Sequence, residues 1–514
     1  MLAKLFSVGV LGIDGYPVDV EVDITDGLPS FSIVGLPDAA IRESVDRVRS
    51  ALKNSGFLFP LKRITVNLAP CDVKKEGPSF DLPIALGVLQ ATGQLSAETL
   101  SEYVFCGELS LDGALRPISG VLPRAASVGK GPQKNFVVPS GNGREAAIVQ
   151  DISVYALGTL METVRFLRGE LKCRKVHVNV ETLWKENGAF KGLDFRDVRG
   201  QVYAKRALEV AAAGGHHILL VGPPGAGKTM LAKRLPTILF RLTLEEAIET
   251  TKIHSVCGFL TQKRHFVTTR PFRAPHHTIS DAGLVGGTAH PKPGEVSLAH
   301  RGVLFLDELP EFKRHVLEVL RQPLEEGYVT IARAESSITY PARFILICAM
   351  NPCPCGHLTD PKIACRCSPA QIEQYRSRVS GPLLDRIDIH LDIPPLKYEE
   401  MVQEGNGETS EAIRQRVFAA RLRQKQRYRD QTSHFCNALL TPQEVADYCV
   451  PSAEGQELLR LAIQELGLSM RSYDRVLKVA RTIADLEGSE TVQTHHVSEA
   501  VGYRNFDRSF GKLP

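Results

Sequence analysis

Gly222-Pro-Pro-Gly-Ala-Gly-Lys228-Thr229 fits the phosphate-loop pattern G-x-x-x-x-G-K-[ST] at every fixed position. The stretch before it, His217-Ile-Leu-Leu-Val221, reads as a buried strand, and Met230 to Phe240 reads as a helix. Gly222, Gly225 and Gly227 let backbone N–H groups turn inward around a phosphate at the positive end of the helix dipole. Pro223, Pro224 and Ala226 complete the loop. Lys228 is placed to reach the β- and γ-phosphates, and the Thr229 hydroxyl to hold Mg²⁺. The segment is a candidate site for ATP.

The rest of the chain is organised around that loop. At 514 residues it is too long for one core, so several domains are expected. A hydrophobic fraction of 43% and a charged fraction of 23% are those of an ordinary globular protein, and no apolar run reaches the length of a membrane span. The net charge of +4 leaves nucleic-acid binding to local patches. Met1 to Leu11 is broken by Ser7 and Gly9 and reads as a first strand rather than an export signal. Eleven cysteines in a chain without such a signal point to a reduced, cytoplasmic protein.

Residues 1–165 read as a separate α/β domain. Val18 to Ile24 alternates as a half-buried strand, and Ala39 to Asn54 has helical spacing behind a candidate cap, Asp38. Ile64 to Leu68 is a strand, Asp81 to Thr92 a buried helix, and Glu108 to Ile118 a hairpin turning at Asp112-Gly113. This order, with Lys75-Glu-Gly-Pro-Ser79 opening a helix before the hairpin, resembles the peptidase domain of Lon-type proteases, which shares the ribosomal S5 domain 2-like fold. The resemblance implies Ser79 as nucleophile, with a lysine a few residues past the hairpin. Leu122 stands near that position, and a serine without a neighbouring base is a weak nucleophile. Ser79 is therefore read as a helix cap in an inactive relative. Residues 166–194 are charged and weakly periodic and read as a linker.

The chemistry is expected from residues 195–395. Gly302-Val-Leu-Phe-Leu-Asp307-Glu308 is an apolar strand ending in two acids, with Asp307 suited to the Mg²⁺ shell and Glu308 to polarising a water. Phe344 to Asn351 is a second such strand, and Asn351 is placed to sense the γ-phosphate or to position the water. Arg386, in Leu384-Asp-Arg-Ile-Asp388, is a candidate arginine finger for a neighbouring subunit's nucleotide. Arg471, with Arg475 as the competing choice, is a candidate phosphate contact from a helical lid over 396–514.

Together with Arg270-Pro-Phe-Arg-Ala-Pro-His-His-Thr-Ile-Ser280 and Asn351-Pro-Cys-Pro-Cys-Gly356, these motifs resemble AAA+ ATPases of the magnesium-chelatase-like branch. The resemblance extends end to end and includes the Lon-like domain. It implies a hexameric ring motor acting on single-stranded or branched DNA. Helicase and branch-migration activity in recombination during natural transformation is implied with it, and recombination proteins are further expected partners. A metal-chelatase motor subunit and a protein-remodelling ring are the alternatives. The four-Cys loop and the Lon-like domain weigh against the chelatase.

Cys353, Cys355, Cys365 and Cys367 form two C-x-C pairs around a nine-residue loop at 353–367, a donor set suited to structural Zn²⁺. His357 is a substitute ligand. For DNA, Arg333 near the tip of a Tyr328–Tyr340 hairpin and the Arg270, Arg273 and Lys292 segment are candidate phosphate contacts. His276 and His277 are read as polar loop residues pointing apart. The basic helix Arg414 to Arg429 is read as solvated surface.

Overall fold

The computed structural model describes residues 2–96, 100–186, 192–261, 263–287, 292–332, 337–358, 360, 363–395, 407–428, 436–466 and 469–504. β1 (Leu2–Leu11) and β2 (Asp14–Thr25) pair antiparallel, with every second side chain of β2 from Val18 to Ile24 buried. β3 (Ser30–Val34), β4 (Arg63–Ala69), β5 (Tyr103–Phe105), β8 (Asn135–Pro139) and β9 (Ser153–Leu157) complete a mixed sheet in the order β3-β4-β2-β1-β5-β8-β9. The hairpin β6 (Glu108–Leu109) and β7 (Leu115–Arg116) lies apart from it. The helix Asp81–Ala91 is largely apolar and buried at every position but Gln90, as expected of a helix inside a core. Asp38 caps as expected, its Oδ1 accepting from Ile41 N at 2.8 Å. The helix expected over 39–54 breaks at Glu43 into Ala39–Arg42 and Ser44–Asn54.

Residues 176–180 of the segment expected to be a linker are seated on this domain. Val176 N donates to Val154 O at 2.9 Å, and Val176, Val178 and Val180 turn apolar side chains onto the domain's cores. The charges around them obscured an alternation of period two. The helix Val180–Glu186 then meets the region that carries the phosphate loop, where Trp184 Nε1 donates to Leu242 O at 2.7 Å.

The second sheet is parallel throughout, in the order β11 (Phe272–Arg273), β12 (Val303–Leu306), β15 (Ile345–Met350), β10 (Ile218–Val221), β16 (Ile389–Asp392). Helices cover it, so β10 and β12 are buried at every position and read as unbroken apolar runs. β13 (Tyr328–Ala332) and β14 (Ser337–Pro341) form the expected hairpin, but Arg333 lies outside the described residues. Leading helices Ser410–Arg427 and Met470–Glu487, the C-terminal region shares one apolar core with this sheet. The expected boundary near 395 adjoins residues outside the described ones. Among the described residues, no helix is long and apolar enough to cross a membrane.

The basic helix is less solvated than expected. Arg416 pairs with Glu209 and Glu408, Arg427 with the buried Asp485, and Arg423 Nη1 donates to Asp485 O at 2.7 Å. Those cations are used to hold the helix to its neighbours.

Candidate active site

All strands of the parallel sheet end on one edge, and loops leaving that edge carry the phosphate loop, Asp307, Glu308 and Asn351. Gly225 and Gly227 have φ of +79° and +88°, which side chains rarely adopt, and a Cβ on Gly222 would come within 2.3 Å of Ile393 O. The loop therefore needs glycine at all three positions. The backbone N–H groups of Gly225, Gly227, Lys228 and Thr229 have no acceptor among the described residues. Four donors converging at the start of the helix Lys228–Ile238 fit a polyphosphate.

The side chains around the loop are already in contact. Thr229 Oγ1 donates to Asp307 Oδ2 at 2.7 Å, so the two expected Mg²⁺ ligands face one point. Lys228 Nζ donates to Gly222 O at 2.6 Å, Pro223 O at 3.0 Å and Asn351 Oδ1 at 3.0 Å. Burial lowers the Lys228 pKa, and the Asp307 carboxylate opposes the shift. Glu308 is a non-glycine residue at φ +54°, a conformation costing about 1–3 kcal/mol that holds its carboxylate outward and exposed.

Sequence reasoning missed one neighbour. His277 Nδ1 stands 3.4 Å from Glu308 Oε2, and the His276 and His277 rings lie 4.0 Å apart rather than pointing away from each other. β11 and β12 are adjacent parallel strands, so the loops that follow them meet. No local pattern announces that adjacency.

Arg386 and Arg471 are not brought to this loop. Asp388 N donates to His217 O at 3.1 Å, so the Arg386–Asp388 segment sits where β10 begins, at the sheet edge opposite the phosphate loop. Arg386 is buried, pairs with Glu325 and donates to Pro382 O at 2.6 Å. The helix Met470–Glu487 runs antiparallel to Val202–Gly214, which puts its start, and so Arg471, at that same far edge. Arg475 is committed to the buried Asp388, whose carboxyl lies well below the ordinary range: burial opposes this, and the Arg475 guanidinium leads the neighbours that outweigh burial. Arg471 is exposed and makes no hydrogen bond or ion pair among the described residues. A contact from Arg471 to its own chain's phosphates is thus corrected by the antiparallel helix packing.

Two candidate DNA contacts are also corrected. Arg270 is buried, donating to Phe240 O at 2.7 Å and Arg301 O at 2.5 Å, and Arg273 makes two 2.6 Å bonds to Glu295. Both guanidiniums face internal acceptors. Lys292 is exposed.

The four cysteines gather as their spacing suggested. The sulfur of Cys353 lies 3.4 Å from that of Cys355 and 3.6 Å from that of Cys365, Cys355 and Cys365 are 3.6 Å apart, and Cys367 completes a set lying within 4.8 Å. Tetrahedral thiolates about 2.3 Å from one ion stand about 3.8 Å from each other, so the set fits a metal. Backbone N–H groups of Arg366 and His357 point at Cys355 and draw its pKa down to about 6, whereas burial pushes the neighbouring Cys353 thiol up to about 12. His357 is instead turned to Asp360, Nδ1 to Oδ2 at 3.1 Å. The loop touches the phosphate loop: a Cβ on Gly356 would meet Pro224 Cδ at 2.5 Å.

Comparison with known proteins agrees with this geometry. Residues 194–401 match the family model described as magnesium chelatase, subunit ChlI, residues 20–142 match subunit ChlI of Mg-chelatase, and residues 407–504 match its C-terminal model. The competence protein ComM of Haemophilus influenzae is 45% identical over 519 residues, covering 100% of this chain and 99% of that protein. The uncharacterized protein YifB of Escherichia coli is 44% identical, covering 97% of this chain and 96% of its own. A chloroplastic magnesium-chelatase subunit ChlI of Oryza sativa is 26% identical over 133 residues, 26% of this chain and 28% of its own. ATP and Mg²⁺ follow from the family as ligands of the loop. The chain belongs to the magnesium-chelatase-like AAA+ family that includes the competence protein ComM.

Proposed function

We propose that the chain is a Mg²⁺-dependent ATP hydrolase that assembles into a hexameric ring and moves DNA strands. Helicase and branch-migration activity would serve recombination of incoming DNA, together with recombination proteins. The observation that carries the ATPase part is the joint placement of Lys228, Thr229, Asp307 and Asn351 around four unspent backbone donors. Full-length similarity to a protein named for competence supports the DNA part.

In this reading Lys228 leaves its three oxygen acceptors and pairs with phosphate, a swing its flexible stem allows. Thr229 and Asp307 would hold Mg²⁺, which would supply charge neutralisation to the phosphates. Glu308 polarises the attacking water, with His277 orienting the carboxylate, and Asn351 positions that water. Arg386 and Arg471 stand at the far sheet edge, so they act on a neighbouring subunit's nucleotide, Arg386 after release from Glu325. The cysteine set holds Zn²⁺ as a clip against Pro224.

We read residues 1–165 as a Lon-like domain without protease activity, 195–395 as the ATPase core and 396–514 as its helical lid. Arg124 Nη2 donates to Ser79 Oγ at 3.1 Å, and a guanidinium does not act as a base at neutral pH. The test of the motor is strand release from a synthetic four-way DNA junction by the full chain. Release that requires ATP and is absent in Lys228→Ala is expected. ATP hydrolysis with no strand movement on junction, fork or single strand would overturn the DNA part.

A further inference from the structure

Between the N-terminal domain and the ATPase region lies a cavity of about 520 Å³ that the ATP chemistry does not use. Ser79, Arg124, Glu76 and Glu108 line it from one side, and Ser255 and His265 from the other. Ser255 Oγ donates to Glu145 Oε1 at 2.5 Å and Gly120 N donates to Ser255 O at 2.9 Å, so the ATPase segment forms its closing wall.

Arg124 is 6% exposed, yet no carboxylate lies within ion-pair distance among the described residues. Its acceptors are neutral: Val8 O at 2.9 Å, Ser119 O at 2.6 Å, Gly120 O at 3.0 Å and Ser79 Oγ at 3.1 Å. A guanidinium has five N–H groups, so one on Nη2 remains unspent. Ser79 Oγ accepts from Arg124, which leaves its O–H proton also without an acceptor. Glu145, the nearest buried acid of the cavity, is already bonded by Leu122 N, Asn142 Nδ2 and Ser255 Oγ. A buried charge in this state is costly unless a counter-charge meets it. Two adjacent donors, the free N–H of the Arg124 cation and the Ser79 hydroxyl, match a carboxylate. Glu76 and Glu108 on the same cavity repel phosphate and other dianions, and they suit an ammonium. The volume accommodates a molecule between an amino acid and a short peptide.

We propose that this cavity binds a small zwitterion, a free amino acid or short peptide, with its carboxylate on Arg124 and Ser79 and its ammonium toward Glu76 and Glu108. Because the cavity is walled by both regions, the occupant bridges the N-terminal domain to Ser255, Thr261 and His265 of the ATPase region.

The experiment is saturation-transfer NMR on the full chain with four probes: alanine, alanyl-alanine, its C-terminal amide and its N-acetyl derivative. Binding by alanine or alanyl-alanine is expected, and which of them binds assigns the source as free amino acid or peptide. The amide should bind at least about tenfold more weakly, as should the N-acetyl form, and inorganic phosphate should not compete. Arg124→Gln and Ser79→Ala should each weaken binding about tenfold; Ser79→Ala removes one hydroxyl and keeps the test valid if Arg124→Gln does not fold. No binding by either zwitterion would overturn the proposal. So would equal binding of the amide, competition by phosphate, or unchanged binding in Ser79→Ala. None of these outcomes depends on the DNA motor.

Discussion

The phosphate loop and the Ser79 pocket are built from similar parts and end in opposite states. Each sets a hydroxyl and a cation where a helix begins: Thr229 with Lys228, and Ser79 with Arg124. At the phosphate loop the hydroxyl reaches an acid, Asp307, and the cation is a lysine resting on oxygens that it can leave. At the pocket the cation is an arginine fixed by three backbone carbonyls, and its remaining bond goes to the hydroxyl itself. A movable charge beside an acid suits turnover, whereas a locked charge beside a hydroxyl suits binding. The neighbours, not the motif of helix start and hydroxyl, decide the chemistry.

The largest expected effect lies at the loop. Lys228→Ala should lower ATP turnover by about three orders of magnitude, as should Glu308→Gln, with Glu308→Gln retaining ATP binding; steady-state phosphate release measures both. A Lys228→Ala protein with near-normal turnover would erase the contrast between the two sites. Next, Cys353→Ser should lose one equivalent of metal by elemental analysis. Because the cysteine loop packs on Pro224, its melting temperature should fall by about 5 °C and ATP turnover with it.

A smaller effect is expected along the helix Leu244–Val256, which joins the two sites. Ser255 touches the pocket at its end, and Glu249 pairs with His300 and Arg301 at the start of β12. Burial works against the Glu249 charge, yet His300 and Arg301 bring its pKa down to about 2. A depressed carboxyl stabilises the fold above its unfolded pKa of about 4.3, and that stability is lost as pH falls toward the folded value. Glu249→Gln should therefore lower the melting temperature by about 2–4 °C at pH 7, discounted for its partial exposure, and the difference should shrink below about pH 4. A gap that instead widens in acid would show that the pairing is misassigned. Smallest of all, a serine-directed fluorophosphonate should label the wild type no more than it labels Ser79→Ala, since Arg124 supplies no base. Strong labelling of Ser79 would turn the pocket back into a catalytic site.

What the sequence made legible was local. The phosphate loop, the Asp307-Glu308 strand end, Asn351 and the four cysteines each follow from residues a few places apart, and the structure brings them together. What it hid depends on pairings between distant segments. His277 meets Glu308 only because β11 lies beside β12. Arg471 stands far from its own loop because its helix runs antiparallel to Val202–Gly214. Arg270 and Arg273 carry charge that looked available, but their acceptors, the carbonyls of Phe240 and Arg301 and the carboxylate of Glu295, come from elsewhere in the chain. Arg124 takes up Ser79 from two residues beyond Leu122, near which the resemblance implies a lysine, because the helix Val121–Lys130 turns that face toward the pocket.

The most direct measurement is steady-state ATP hydrolysis by the full chain, with and without forked DNA, beside Glu308→Gln. Mg²⁺-dependent hydrolysis that DNA accelerates and that Glu308→Gln abolishes is expected. Hydrolysis indifferent to both DNA and Glu308→Gln would contradict it.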